Sequence, residues 1–443
     1  MKAGLSLRWL GLLLPAWACG GGGGGSGSAP ETLAVTLGSS ITFATHSEFA
    51  ASGFLWGPPD GTLGVVASGS GAYTFFGSAE GAAAASVAGP ACTASPGLQG
   101  AFRFDGSLDD FSGLPAPGCK ALFTKGSAPS GWIFDRDYAG GGSVMPFQSG
   151  STSGLLMTYH GEVHWKNPST ANGLCNDVPC FYGAIGLAVS VDGGATFHSV
   201  GQIIQPYLPL SLYEGKSQNV GVGYGSMVLA DASGNWLAAP ASTPSSAYLY
   251  VFYEDYLPAT PAGACANAAC VTVARAPLGE VLSAVVPVSA SSPTAVAGLF
   301  RKYDATASDP WGQPATSGDP TENTASGPFS PLFSDSNSFL PSVIWDSAAS
   351  VYLMVHQRSV GGAQPMNFII RSSPDLLHWS APLATFAPPA GAEPFYPTLV
   401  GEGGDPLVGG PAPLLFFSTF PDNFPNWDTS ELDSLPVQIA VSN

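Results

Sequence analysis

Five stretches of the chain share one pattern, an apolar and aromatic run that ends in polar residues: 73–80 (YTFFGSAE), 155–162 (LLMTYHGE), 249–256 (LYVFYEDY), 352–359 (YLMVHQRS) and 414–421 (LLFFSTFP). Bounded by Gly, Pro and Ser, they predict buried strands. Tens of residues after each comes a second recurring phrase, at 101–111, 185–197, 271–281, 368–379 and 437–443, which predicts a third strand entering a turn. Upstream of each first phrase lies a further short apolar run, near 63–67, 143–147, 226–230, 342–345 and 398–400, placed to be an innermost strand. A strand set repeated in this way predicts an all-β protein, a five-bladed β-propeller. A β-sandwich or two β domains is the alternative for short strands with Gly-rich turns.

The last unit stops at Asn443, where its turn and fourth strand should begin. Residues 32–37 (TLAVTL) or 41–45 (ITFAT) are the unassigned strand-like segments, so the N-terminal strand is expected to close the ring and remove its open edges. The largest gap between units, 303–338, is rich in Ser, Asp, Pro and Gly and reads as a long loop. No linker or charge run divides the chain after residue 30, so residues 32–443 are expected to form one domain.

Residues 1–18 carry Lys2 and Arg8 ahead of an apolar stretch over 10–17 and read as a secretory signal, too short to span a bilayer. With Cys19 following, this segment resembles a bacterial lipoprotein signal, which implies lipidation of Cys19. Residues 19–31, opening with six glycines after the cysteine, read as a flexible tether. The expected location is the cell envelope, as an outer-membrane lipoprotein, or outside the cell, with membrane contact only through the lipid.

Setting Cys19 aside leaves six cysteines, whose spacing suggests bridges Cys92–Cys119, Cys175–Cys180 and Cys265–Cys270. Metal ligation is the rival reading, but the pairs lie in separate units of an exported chain. Net charge is −18, which argues against nucleic acid as a partner. Only 10% of residues are charged and 11% are aromatic, a balance that suits carbohydrate, whose rings stack on Trp and Tyr. No phosphate-cradling Gly-rich loop with Lys-Ser/Thr is present, nor a Gly-x-Ser-x-Gly elbow.

Residues 190–197 (SVDGGATF) match the Asp-box pattern, and 372–379 (SSPDLLHW) look like a related Ser-x-Asp-Leu-x-x-Trp turn. Both place an Asp where its carboxylate can bond turn amides, so Asp192 and Asp375 are expected to be structural. With these turns, the span from about residue 63 to the end resembles the five-bladed propeller glycosidases. The Asp-Gly-Thr-Leu-Gly stretch at 60–64, leading into 73–77, also resembles a family of sialidase-like bacterial propellers. The glycosidase resemblance implies acidic residues on inner strands at one end of the central axis, one protonated as general acid and one ionised as base or nucleophile.

By that criterion the candidates are Asp135 and Asp137, just before the inner strand of the second unit, with Glu254, Asp255 and Glu162 at strand ends. Alternation would put Asp135 and Asp137 on one face, with Arg136 on the other, so that one carboxyl is pushed up. The alternative is a solvated turn. His160, Glu162 and His164 alternate and should share a face. A structural metal there needs a fourth ligand that the pattern does not supply, so sugar hydrogen bonding is expected. His356 and Arg358 hold the equivalent strand end of the fourth unit, and Tyr159, Trp165, Tyr253 and Tyr396 are candidates for stacking on the ligand, with core or rim packing as the alternative. A sialidase needs an arginine triad, and among seven arginines no Phe-Arg-Ile-Pro motif occurs.

The expected function is therefore hydrolysis of a neutral or pentose-containing glycan by carboxylate acid–base catalysis in a monomeric protein. No cofactor is expected, although the resemblance leaves room for a central Ca2+. The alternatives are a non-catalytic propeller that binds glycan or protein at the cell surface, and a purely structural lipoprotein.

Overall fold

A computed structural model describes residues 32–56, 60–69, 71–83, 91–109, 119–175, 178–217, 219–240, 244–257, 268–286, 296–335, 337–360, 363–388, 392–421 and 429–442. Residues 1–31, on which the expected signal, Cys19 and the expected tether fall, lie outside the described residues, as does Cys265.

The described strands form five antiparallel-based sheets, the five blades of a propeller. The innermost strands are Gly64–Gly69, Tyr138–Ser149, Ser226–Ala230, Ser338–Asp346 and Glu393–Val400. Each pairs with the strand predicted from the first phrase: Ala72–Gly81, Thr152–Trp165, Tyr248–Leu257, Val351–Val360 and Leu414–Phe420. Their buried, β-branched and aromatic composition follows from packing between neighbouring blades on both faces.

Both N-terminal segments close the ring. Thr32–Leu37 pairs residue by residue with the last strand, Glu431–Ser442, from Thr32 opposite Ser442 to Leu37 opposite Val437. Ile41–Ala44 pairs with the start of that same strand. The last strand begins six residues before the predicted phrase, because residues 432–435 are buried on both faces and pair with the second strand of the blade.

The second phrase of blade three differs from expectation. Its strand, Ala268–Pro277, runs into a helix, Leu278–Val285, rather than a turn. Leu278, Val281, Leu282 and Val285 recur at helical spacing and are all buried, which is what sustains the helix. The long 303–337 segment is pinned across neighbouring blades: Leu210 N donates to Glu322 O (2.8 Å), Leu332 N to Val271 O (3.0 Å) and Ile133 N to Pro320 O (3.1 Å).

Around the axis, one hydroxyl per blade reaches the next blade's backbone. Ser143 Oγ accepts from Met227 N (3.2 Å), Ser226 Oγ from Val343 N (2.9 Å), Ser342 Oγ from Leu399 N (3.0 Å) and Thr398 Oγ1 from Leu63 N (3.0 Å). At the seam of blades one and two, Ser78 Oγ donates instead to Gly141 O (3.2 Å). These bonds fix the inner strand ends relative to one another, which sets the geometry of anything mounted on them. Below lies a cavity of about 20 Å3 lined by Thr62, Ser143, Ser226, Ser342 and Thr398 among others, enough for about one water. Among the described residues no helix is long and apolar enough to cross a membrane.

Candidate active site

The inner strands begin, and the second strands end, on one face of the ring. Asp60 precedes the inner strand of blade one on this face. Its Oδ2 accepts from Tyr138 OH (2.9 Å) and its Oδ1 from Tyr396 OH (2.6 Å), and Tyr138 OH lies 3.0 Å from Tyr224 OH. Three tyrosines from blades two, three and five thus converge on one carboxyl of blade one. Gly61 is required beside it: its φ is +141°, and a Cβ there would fall 2.2 Å from the Tyr224 ring. Burial pushes the Asp60 carboxyl up to about 6 despite the two tyrosine bonds.

Glu162, at the end of the second strand of blade two, sits between two imidazoles. His160 Nε2 is 2.9 Å from Oε1 and His164 Nε2 is 2.5 Å from Oε2. Alternation along the strand places these three on one face as predicted. Burial opposes ionisation of Glu162, but the histidine bonds outweigh it and hold the carboxyl at about 2. His160 is correspondingly raised: burial lowers it, and the Glu162 bond more than compensates. The Tyr224 ring lies 4.7 Å from the His160 ring, joining this trio to the Asp60 cluster.

Glu254 is the third acid, at the equivalent strand end of blade three. Its Oε2 accepts from Leu340 N (3.0 Å) of blade four. Gly223 leaves the space for it, since a Cβ at that position would fall 1.7 Å from Glu254 Oε1. Burial pushes Glu254 up to about 7. The acids share one field: Glu162 raises Asp60, while His160 lowers both Asp60 and Glu254. Beside them lies an apolar cluster in which Leu340, Phe395 and Phe420 are buried with Tyr224, and Phe339, Met366 and Tyr396 pack against it part-exposed. This end of the ring, the funnel, therefore brings together three acids and an apolar cluster.

Of the residues proposed from sequence, the structure brings His160, Glu162, His164, Glu254 and Tyr396 to this funnel. It does not bring Asp135 and Asp137 together. Strand geometry starts only at Tyr138, and a turn bond from Arg136 N to Ile133 O (2.9 Å) rotates the two carboxyls apart. Asp135 is fully buried, accepting from Ala128 N (2.8 Å) and Tyr159 OH (3.4 Å), and burial pushes it up to about 6. Asp137 accepts from His164 N (2.8 Å) and Arg136 Nε (2.9 Å); burial raises it, but these bonds hold it below its usual value. Tyr159 points away from the funnel, against Phe123 and Phe134.

Tyr253 and Asp255 flank Glu254 on the opposite face of the strand. Asp255 forms a fully buried ion pair with Lys302 Nζ (2.9 Å). Trp165 donates from Nε1 to Lys216 O (2.7 Å), outside the funnel. His356 is buried, stacked on Phe333 at 4.8 Å and accepting from Arg371 Nε (3.3 Å); burial and the Arg371 charge push it down to about 3. Arg358 lies 3.5 Å from Asp335 Oδ2. Asp60 was missed as a catalytic candidate, although the criterion of acids next to inner strands covers it when applied to blade one.

Asp192 and Asp375 occupy hairpin turns. Asp192 Oδ1 accepts from Ala195 N (3.1 Å) and Thr196 N (3.0 Å), while Asp375 Oδ1 accepts from Leu377 N (3.1 Å) and His378 N (2.9 Å). Cys92 is bonded to Cys119 and Cys175 to Cys180, and Cys270 is also in a disulfide.

No protein-family model matches the sequence, and no curated protein matches it. Among solved structures, the chain is similar to the catalytic domain of a GH62 α-L-arabinofuranosidase from Coprinopsis cinerea, at 13% identity over 89% of this chain and 97% of that one, with a TM-score of 0.44. An endo-1,5-α-L-arabinanase from Thermotoga petrophila matches at 11% identity over 86% and 71% of the two chains, with a TM-score of 0.37. The α-L-arabinofuranosidase arb93a from Fusarium graminearum, a variant in complex with an iminosugar inhibitor, matches at 10% identity over 90% and 98%, also with a TM-score of 0.37.

Proposed function

We propose that this protein is a glycoside hydrolase acting on a neutral or pentose-containing glycan, with Glu254 as general acid and Asp60 as general base. The observation that carries the reading is the pair of carboxyls from blades one and three at one funnel, held at about 6 and about 7 and flanked by a permanently ionised Glu162. Between those values Asp60 is mostly ionised and Glu254 mostly protonated. Glu254 then donates its proton to the glycosidic oxygen, and Asp60 takes one from the attacking water. Glu162, bonded on both oxygens, is a positioning residue: its charge raises Asp60 and opposes build-up of further negative charge beside it, while favouring the positive charge that develops on the sugar ring. Tyr138 and Tyr396 orient the Asp60 carboxylate, and the part-exposed Phe339, Met366 and Tyr396 offer apolar surface to the sugar.

The N-terminal segment supports export, with a lipid on Cys19 and the glycine tether holding the propeller off the membrane. Intact-mass measurement of the membrane-fraction protein tests this, a diacylglyceryl-modified Cys19 being the expected N-terminus.

The decisive assay is reducing-sugar release from arabinan, arabinogalactan, xylan, fructan and sialylated glycans by residues 32–443, beside Glu254→Gln and Asp60→Asn. Release by the parent, lowered about 10²–10⁴-fold in either variant, is expected. Parent protein inert on every glycan, yet retaining one of them on an affinity gel, would replace the hydrolase with a binding propeller, a role the apolar cluster at the funnel could serve alone.

A further inference from the structure

Among the described residues, five side chains on the strands of blade four have a buried polar atom without a partner, and three of them form one row. Ser338, Arg358 and Asn367 face one another across three neighbouring strands, Ser338 opposite Arg358 and Arg358 opposite Asn367. Residues directly opposite in antiparallel strands project from the same side of the sheet. Ser338 Oγ, Arg358 Nε and Asn367 Oδ1 each lack a hydrogen bond among the described residues. Buried polar atoms are nearly always paired, so three unpaired in one row call for a partner that the described residues do not supply.

The row is charged as well as polar. Arg358 and Arg371 both approach Asp335 Oδ2, Arg371 as the closer partner, so two guanidinium groups share one carboxylate and one positive charge is left over. Arg371 is nearly buried and also donates to Ser380 O (2.5 Å), whereas the Arg358 side chain is 37% exposed. The excess charge therefore faces outward at Arg358. The row also adjoins the acid. Ser338 stands two residues before Leu340, whose amide holds Glu254, so the row lies at the acid's end of the blade.

Two donors, one acceptor and a surplus positive charge define the ligand's chemistry. A carboxylate answers Arg358 Nε–H and the Ser338 hydroxyl, and an adjacent sugar hydroxyl answers Asn367 Oδ1. Fully ionised sulfate has no hydrogen for Asn367, and a neutral sugar leaves the charge without a counter-ion. With a net charge of −18 the protein as a whole repels acidic polysaccharide, so recognition of an acid has to come from a local cation of this kind. We infer that Ser338, Arg358 and Asn367 form a subsite for a uronic acid residue next to the neutral sugar that is cleaved. This assignment rests on the hydrolase reading for its orientation, although the subsite can be tested without it.

The test uses a matched pair of substrates, a xylo-oligosaccharide bearing a glucuronic acid branch and the same oligosaccharide with its carboxyl reduced to the alcohol. The readout is the ratio of the two kcat/KM values, which is independent of the fraction of protein folded. The parent should favour the acid by about tenfold or more, Arg358→Met should bring the ratio close to one, and Arg358→Lys should fall between. Equal rates in the parent, or a ratio untouched in Arg358→Met, overturn the subsite. If neither compound is hydrolysed, the hydrolase reading falls separately. Calorimetric binding of both compounds to the parent and to Arg358→Met then decides: preference for the acid lost in the variant supports the subsite, and no preference in the parent overturns it.

Discussion

Glu254→Gln should cost catalysis and add stability, and the size of the gain follows from the site. Gln preserves the shape, and its carbonyl oxygen can still accept from Leu340 N, so the backbone contact to blade four survives. What disappears is a carboxyl whose proton affinity burial raises from the ordinary 4.5 to about 7. A group raised in this way stabilises the fold fully below about pH 4.5, and that contribution is lost as pH climbs through 7, because the unfolded chain releases the proton more readily. At 1.36 kcal/mol for each tenfold change in affinity, the loss above pH 7 is about 3 kcal/mol at most. The Gln variant carries no such loss. Urea denaturation at pH 4 and pH 8 measures the difference: matching midpoints at pH 4, and a higher midpoint for the variant at pH 8 with an unchanged slope. A variant no more stable than the parent at pH 8 would refute the argument, because it would mean that Glu254 is solvated and ionised and cannot serve as the acid.

Three further outcomes follow from neighbouring groups. The pH dependence of kcat/KM should be bell-shaped, rising through about 6 as Asp60 ionises and falling through about 7 as Glu254 does; Tyr396→Phe removes a bond that lowers Asp60, so its acidic limb should move to higher pH. Lys302→Met leaves Asp255 buried without its cation and should destabilise by about 3–5 kcal/mol in urea at pH 7, while the double variant with Asp255→Asn recovers much of that. Asp135→Asn should leave sugar release within about twofold of the parent, since Asp135 lies in the core away from the funnel; a loss like that of Asp60→Asn would return Asp135 to the active site.

The fold was readable because each blade strand is a contiguous apolar run between turn residues, a signal that needs no knowledge of its neighbours. Ring closure was readable for the same reason, as the last unit lacked a strand and only the N-terminal segments had the pattern to supply it. The His160, Glu162 and His164 grouping followed from alternation within one strand, and so did not depend on tertiary context. Asp60 had no such local signature. Its partners Tyr138, Tyr224 and Tyr396 come from three other blades and meet it only after the ring closes. The ring of Ser143, Ser226, Ser342 and Thr398 stood at the heads of the predicted inner runs, yet its bonds go to adjacent blades, and no periodicity within a single blade predicts them.

At Asp135, Asp137 and Asp255 the geometry departs from the expected one for a common reason. Strand alternation extended three residues ahead of the strand's start puts Asp135 and Asp137 on a common face, but the turn there sends one carboxyl inward and the other to the rim. Asp255 was grouped with Glu254, although alternation, applied where the strand does continue, separates them and delivers Asp255 to Lys302. A propeller concentrates its ligand groups where inner strands begin and second strands end. That is where the period-2 rule expires, so the face of a side chain there is set by the blade next to it. The acid in blade three shows the consequence: Glu254 has its position from an amide in blade four and a missing side chain at Gly223, two features 86 and 31 residues away in sequence.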